Sequence, residues 1–387
     1  MPRFPRIARS AEHLSDRVFS RLAAVAKERG SAVHPLHVGD TYLEPLPAAM
    51  AEAQRTADQP RLHTYAPVQG EPILLDAIER HLLRRAGLAV PREQIQVVSG
   101  ATAGLSVVVE ALLDPGDEVI LPSPYWPLIR GIIDKRGCTP VEVPLFHRAA
   151  DPALDLEALL EAAVTPRTAA IYMNSPHNPT GAVLSDAQLA AFARVAERHN
   201  LWVLSDEVYE LLAFDGPPPP TWSRPDLRAR TVAVHSLSKA FGLAGARVGF
   251  AHGPPEAMGA VRGVQTYATY CAPRPMQRGA ARALDEGEAW LAEARAAYED
   301  AARRAADALG VPRPAAGTFL HVDVRPHRLA GEDTMGFLLR CLDAGVLLTP
   351  GASTGKDFEG FVRVCFTCVP PSQLDDALAR LRPLFGR

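Results

Sequence analysis

Between residues 95 and 250 short apolar runs alternate with helical patterns, and a chain built this way buries its runs best as a mostly parallel sheet flanked by helices. The runs are QIQVVS, EVILP, VEVPL, TAAIYMN, LWVLSD, TVAVHSLS and RVGFAH, each of strand length. The expected fold class is therefore α/β. One of the intervening helices is marked at its start. Ser185, followed three residues later by Gln188, forms a capping-box signature ahead of LAAFARVAERHN.

At 387 residues the chain exceeds one small core and suits a large domain plus a smaller one. Beyond the alternating region, MQRGAARALDEGEAWLAEARAAYEDAARRAADAL is rich in Ala, Glu and Arg, and reads as one long helix from 276 to about 308 with a solvated face. After it come TFLHVDV, a helix around 333–344, VLLTP, FVRVCFT and a final helix, which together suggest a small α+β domain. The tetraproline of GPPPPT, 216–221, reads as an exposed polyproline turn.

Charge narrows the partners. A formal net charge of −3 and a pI near 6.5 are unlike the broad basic footprint of a nucleic-acid binder, so a small-molecule ligand is the better expectation. MPRFPRIARSAEHL has no apolar stretch of signal-peptide length and no later run approaches a membrane span, which points to a cytoplasmic protein. Five scattered cysteines argue against a disulfide framework. Cys365 and Cys368 form a CxxC inside a strand-like run, with no second Cys/His pair to complete a zinc site, so they read as buried thiols.

Three short motifs compete for a catalytic reading. Gly351-Ala-Ser353-Thr-Gly355 matches the hydrolase GxSxG, yet no histidine follows His327 to complete that triad in order. GASTGKD falls one residue short of a P-loop and has no Ser/Thr after its lysine. Ser236-Leu-Ser238-Lys239 satisfies SxxK, in which lysine would activate Ser236 for acyl transfer, but neither SDN nor KTG occurs.

A different constellation has all its parts. A pyridoxal phosphate site needs an amine for the aldehyde, an acid at the pyridine nitrogen, donors for the phenolate and anion-binding groups for the phosphate. Lys239 follows the strand TVAVHSLS, where partial burial lowers an amine's pKa; by itself a strand-end lysine reads as a surface charge. Asp206 ends LWVLSD, at the sheet edge where α/β proteins bind ligands; its plainer reading is a helix cap. Tyr209 lies three residues on, where it shares that face. Asn178 sits in a turn fixed by two prolines and a glycine, beside His177, which reads as a polar loop residue. Arg247 follows in SKAFGLAGARVG, and arginine grips phosphate through paired hydrogen bonds. Gly100-Ala101-Thr102 opens a helical pattern, so its amides face an anion at a helix amino terminus. Trp126 of PSPYWP is free to stack on a planar ring, or to serve as core.

Together NSPHNPTG, SDEVY and SLSKAFGLAGARVG resemble the fold-type I pyridoxal phosphate enzymes, specifically the class I/II aminotransferases, from about residue 30 to the end. The resemblance implies a homodimer with a large cofactor-binding domain over 48–285 and a small domain formed by both chain ends, 1–47 and 286–387. It makes Lys239 the Schiff-base lysine, sets Asp206 at the pyridine nitrogen and gives the phenolate to Asn178 and Tyr209. Trp126 stacks on the ring, while Gly100, Ala101, Thr102, Ser236, Ser238 and Arg247 hold the phosphate, with Tyr65 reaching across from the other subunit. Arg363 of GFVRVCFT would fix the substrate α-carboxylate; alone it reads as a surface ion pair. Gly39 of LHVGD belongs to the segment that closes over substrate. The implied reaction is ping-pong amino transfer between an L-amino acid and a 2-oxo acid.

The chain departs from the pattern in three places. VGDTYLEP lacks the proline usual after the glycine, Leu75 stands where arginine is common, and Thr102 replaces the lysine of an aspartate-preferring bacterial subgroup. With Trp126, Tyr65 and Tyr267 near the inferred pocket, a neutral or aromatic amino donor is expected. C–S lyases of the same fold use the same cofactor residues and are the alternative, whereas a DNA-binding regulatory relative would need a segment for which there is no room before residue 30.

Overall fold

A computed structural model describes residues 12, 20–29, 33–55 and 57–386. Most of the amino-terminal peptide on which the signal-peptide reading rests lies outside them. All seven apolar runs are strands of one sheet: β1 (Ile95–Val98), β2 (Glu118–Ser123), β3 (Thr139–Pro144), β4 (Thr168–Asn174), β5 (Trp202–Asp206), β6 (Thr231–Ser236) and β7 (Gly249–His252). Their spatial order is β1-β7-β6-β5-β4-β2-β3. Only β7 runs against the rest, pairing antiparallel with both β1 and β6. The carboxyl ends of the other six therefore share one edge, and the loops leaving that edge carry the polar motifs.

Helices cover both faces of the sheet, which explains why β1, β2 and most of β4 and β5 are buried along their length rather than alternating. The capping box forms as expected: Ser185 Oγ accepts the Gln188 amide while the Gln188 side chain takes the Ser185 amide, and the helix Asp186–Arg198 follows. A second, smaller sheet has the antiparallel order β8-β10-β9, with β8 at Phe319–Asp323, β9 at only Thr349–Pro350 and β10 at Phe361–Cys365. Its core joins distant parts of the chain, since Leu22 and Leu36 pack with Phe337, Val362, Val364 and Leu378. Backbone bonds pin the amino-terminal segment there: the Cys365 amide donates to the Leu36 carbonyl at 2.9 Å and the Leu347 amide to the His34 carbonyl at 3.0 Å.

Three local expectations are corrected. The long helix is two, Arg274–Glu286 and Glu288–Leu309, because Gly287 packs so closely that a Cβ would run into the Ala283 carbonyl and stand 2.6 Å from the Phe241 ring. The tetraproline is not simply exposed: Pro218 and Pro220 are buried, and the Pro218 carbonyl accepts from Arg85 at 3.2 Å. Cys365 is buried, but Cys368 keeps part of its surface.

Candidate active site

The shared strand edge opens on a cleft of about 150 Å³. Lining it are Ala101, Thr102, Trp126, Asn178, Asp206, Tyr209, Ser236, Ser238, Lys239 and Arg247, which come from six separate stretches of sequence. Gly100 borders it as the residue ahead of the helix Ala101–Leu112. Its φ of 79° is one that side chains avoid, and a Cβ would run into the Arg247 guanidinium. Arg247, itself left-handed at φ 51°, bonds the carbonyls of Ala244 at 2.9 Å and Ser99 at 3.4 Å. A guanidinium, a helix amino terminus and the Ser236 and Ser238 hydroxyls thus lie around one end of the cleft, a set suited to a phosphate.

Asp206, at the end of β5, is 4% exposed. Burial pushes its carboxyl up to about 6, while the Tyr172 phenol, 2.7 Å from Oδ2, and the Val208 amide, 3.2 Å from Oδ1, oppose that rise. Asn174 ties the neighbouring turn in place, donating to the Asp206 carbonyl at 2.9 Å and accepting the Asn178 amide at 2.8 Å. Neither Tyr172 nor Asn174 was singled out from sequence. The signal available was alternation: both lie on β4 two residues apart, hence on one face, and a phenol within an apolar strand calls for a partner.

Lys239 lies in the short helix Leu237–Ala240. Burial lowers its pKa and Asp40 opposes the shift, as a nucleophilic amine requires. Its Nζ bonds the Gly39 carbonyl, and a Cβ on Gly39 would run into the Phe319 ring, so the closing segment comes this near only as glycine. Ser236 Oγ accepts the Ser238 amide at 3.1 Å. Both members of the SxxK pair are therefore engaged elsewhere. Ser353 likewise bonds the Pro350 carbonyl within a 3₁₀ turn, not a strand-to-helix elbow.

Arg363, on β10, is buried rather than a surface ion pair. It spans the two sheets, donating to Asn178 Oδ1 at 3.3 Å and to the His37 carbonyl at 3.2 Å, with its guanidinium 4.2 Å from the Phe319 ring centroid. Its Nε has no hydrogen-bond partner among the described residues. A buried guanidinium with an unused donor is a carboxylate site in waiting. His177 is also buried, contrary to expectation, and stacks on Phe146 with ring centroids 3.4 Å apart.

Two predicted residues do not join this cleft within one chain. Tyr65 is 80% exposed and contacts Tyr270 edge-on at 5.1 Å, and Tyr267 is 93% exposed. Of the three aromatics behind the expected donor class, Trp126 alone lines the cleft.

The sequence model of the family described as aminotransferase class I and II matches residues 32–381. The chain is 35% identical over 347 residues to the arginine–pyruvate transaminase of Pseudomonas aeruginosa, covering 87% of this chain and 86% of that protein. It is 33% identical to a probable N-succinyldiaminopimelate aminotransferase of Mycobacterium tuberculosis, over 96% of both. Among solved structures, the N-succinyldiaminopimelate aminotransferase of Mycobacterium tuberculosis superposes with a TM-score of 0.89 at 32% identity, covering 98% of this chain and all of that one. An aspartate aminotransferase from Rhizobium meliloti reaches 0.90 at 28% identity, covering 99% and 100%.

Proposed function

This chain belongs to the class I and II aminotransferases and is a transaminase, and from that premise we propose that it holds pyridoxal 5′-phosphate on Lys239 and prefers neutral or aromatic L-amino acids as donors. The observation that carries the reading is convergence. An amine of lowered pKa, a buried carboxylate, a phenol, an amide and an anion-binding corner line one cleft. In this reading Arg247, Ser236, Ser238 and the Gly100–Thr102 turn bind phosphate, Asn178 and Tyr209 the ring hydroxyl, Asp206 the ring nitrogen, and Trp126 the ring face.

When bound, the cofactor supplies an aldehyde for the amino group and a protonated ring that draws electrons from Cα. Lys239 Nζ would take the Cα proton and return it to the carbon that carried the aldehyde. Arg363 Nε and Asn178 orient the α-carboxylate, and the Gly39 segment closes the cleft against water. In two such half-reactions, in ping-pong order, one amino acid would become its 2-oxo acid and a second 2-oxo acid would gain the amino group. The donor preference is supported by the lining: its charged members, Asp206, Lys239 and Arg247, are already committed, so no cation among the described lining residues awaits a side-chain carboxylate.

The rest of the reading is architectural. The large domain is 48–285, the small one forms from both ends, and two subunits share their sites through Tyr65 in the cytoplasm. Absorption spectroscopy tests the centre of the proposal. Pyridoxal phosphate should give a lysine-linked visible band in the wild type that Lys239→Ala lacks, and neutral or aromatic donors should discharge it with release of an oxo acid. Persistence of the same band in Lys239→Ala overturns the cofactor assignment. Higher kcat/KM for aspartate overturns the donor preference, and release of ammonia and thiol instead of amino transfer would indicate a lyase.

A further inference from the structure

Behind Asp206 stands a residue that no motif contains. Tyr172 is 2% exposed in the middle of β4, and its parallel neighbour across the sheet is Leu204 on β5, two residues before Asp206. That stagger carries the phenol forward along β5 to the carboxylate, where its oxygen lies 2.7 Å from Oδ2. We propose that Tyr172 is the positioning residue of the ring-nitrogen acid: its hydroxyl pins Oδ2 and keeps Asp206 ionised and aimed into the cleft. The inference rests on the pyridoxal phosphate reading above.

The plain alternative is a core tyrosine that happens to satisfy its hydroxyl. Two features argue for more. First, the carboxylate faces an uneven set of groups. Tyr172 from β4 and the Val208 amide donate to it; Tyr209 on the following turn and Lys239 on the helix Leu237–Ala240 share its cleft without a hydrogen bond to it among the described residues. Glu207, next in the chain, turns away, accepting from Ser205 Oγ at 2.9 Å and the Thr221 amide at 3.2 Å. Tyr172 is thus the sole side-chain donor to Asp206 among the described residues. Second, the donor stays a donor. Burial, and then Asp206 itself, push the Tyr172 phenol well above its ordinary value, so it remains protonated wherever the carboxylate titrates. Donation to an anion favours the charged form, which burial alone would suppress. Without the hydroxyl, Asp206 should gain its proton closer to neutrality and lose its complementarity to a protonated ring.

Tyr172→Phe removes one oxygen and keeps the ring in place. The measurement is the dissociation constant of pyridoxal phosphate from full-length apoprotein between pH 5 and 9, wild type and variant side by side. Their ratio cancels the cofactor's own ionisations. The expected ratio is roughly tenfold near pH 7, the size of one lost charge-assisted hydrogen bond, falling toward unity by pH 9 where Asp206 ionises in both. A ratio near one throughout, or a constant ratio at every pH, overturns the proposal, because a merely structural tyrosine would not move a titration. Should Tyr172→Phe fold poorly, a fluorinated tyrosine at position 172 keeps the shape and is a stronger donor. It should shift the midpoint of the binding profile to lower pH, and an unmoved or raised midpoint counts against the role. Failure of the wild type itself to bind the cofactor removes the functional reading and this inference with it, whereas wild-type binding with an unchanged ratio removes only the role of Tyr172.

Discussion

Asp206 shows how a residue proposed to serve a cofactor can weaken the chain that carries it. Its carboxyl sits at about 6 in the folded protein, against roughly 3.9 for an unperturbed aspartate, so the folded state binds more protons between those values. Stability contributed by this site is therefore present below about pH 4, falls as pH rises toward 6, and stays lost above it. Asp206→Asn keeps an acceptor for Tyr172 and removes the buried charge. At pH 7.5 the apoprotein of that variant should be more stable than wild type by roughly 1–3 kcal/mol in chemical denaturation, a gain that shrinks as pH drops toward 4, while cofactor affinity declines. Equal stability at both pH values would mean that Asp206 is not the strained group. The residues that line the cleft were legible because each proposed chemistry has its own residue type: an amine, an acid, a guanidinium. Tyr172 and Arg363 were harder. One has no motif, and the burial of the other depends on Phe319 and His37, which lie far from it in sequence.

At the scale of elements, the sheet was written in the chain. A strand buried on both faces is mostly apolar, and the seven apolar runs appeared as seven neighbouring strands, with only the edge strand β3 largely uncovered. Where prediction failed, the cause was a contact that composition does not record. Nothing in the Ala- and Glu-rich stretch marks Gly287 as more than a tolerated helix residue, yet Phe241 and the Ala283 carbonyl occupy the space of a side chain there. Gly287→Ala should cost roughly 1–3 kcal/mol despite alanine's better helix propensity, as overpacking does. A rise in Tm would show that the break is dispensable. VLLTP likewise reads as a full strand, yet only Thr349 and Pro350 pair with β10 before the chain enters its 3₁₀ turn, while Val346 bridges to His34 instead. The tetraproline was placed at the surface by composition alone, whereas Arg85 and the sheet behind it draw two of its rings inward.

At the scale of the whole molecule, the helix Glu288–Leu309 connects the two cores: Leu291, Ala294 and Tyr298 pack with the main sheet, and Ala301 to Leu309 with the smaller one. Tyr65 and Tyr270 stand on the surface beside an open groove, and in the shared-site reading Tyr65 serves the partner's cofactor. Mixing two impaired homodimers, Lys239→Ala and a Tyr65 variant, should then restore about a quarter of wild-type activity through heterodimers with one intact site. No recovery, or a monomer by sedimentation, would refute shared sites. Strand periodicity and the order of NSPHNPTG, SDEVY and SLSKAFGLAGARVG were enough to establish the layered α/β architecture and the transaminase family, because burial pattern and motif chemistry are local properties of a chain. How Arg363 reaches Asn178, why Gly39 must be glycine beside Phe319 and Lys239, and which phenol holds Asp206 were decided only by folding, because each depends on groups that sequence separates and packing brings within a few ångströms.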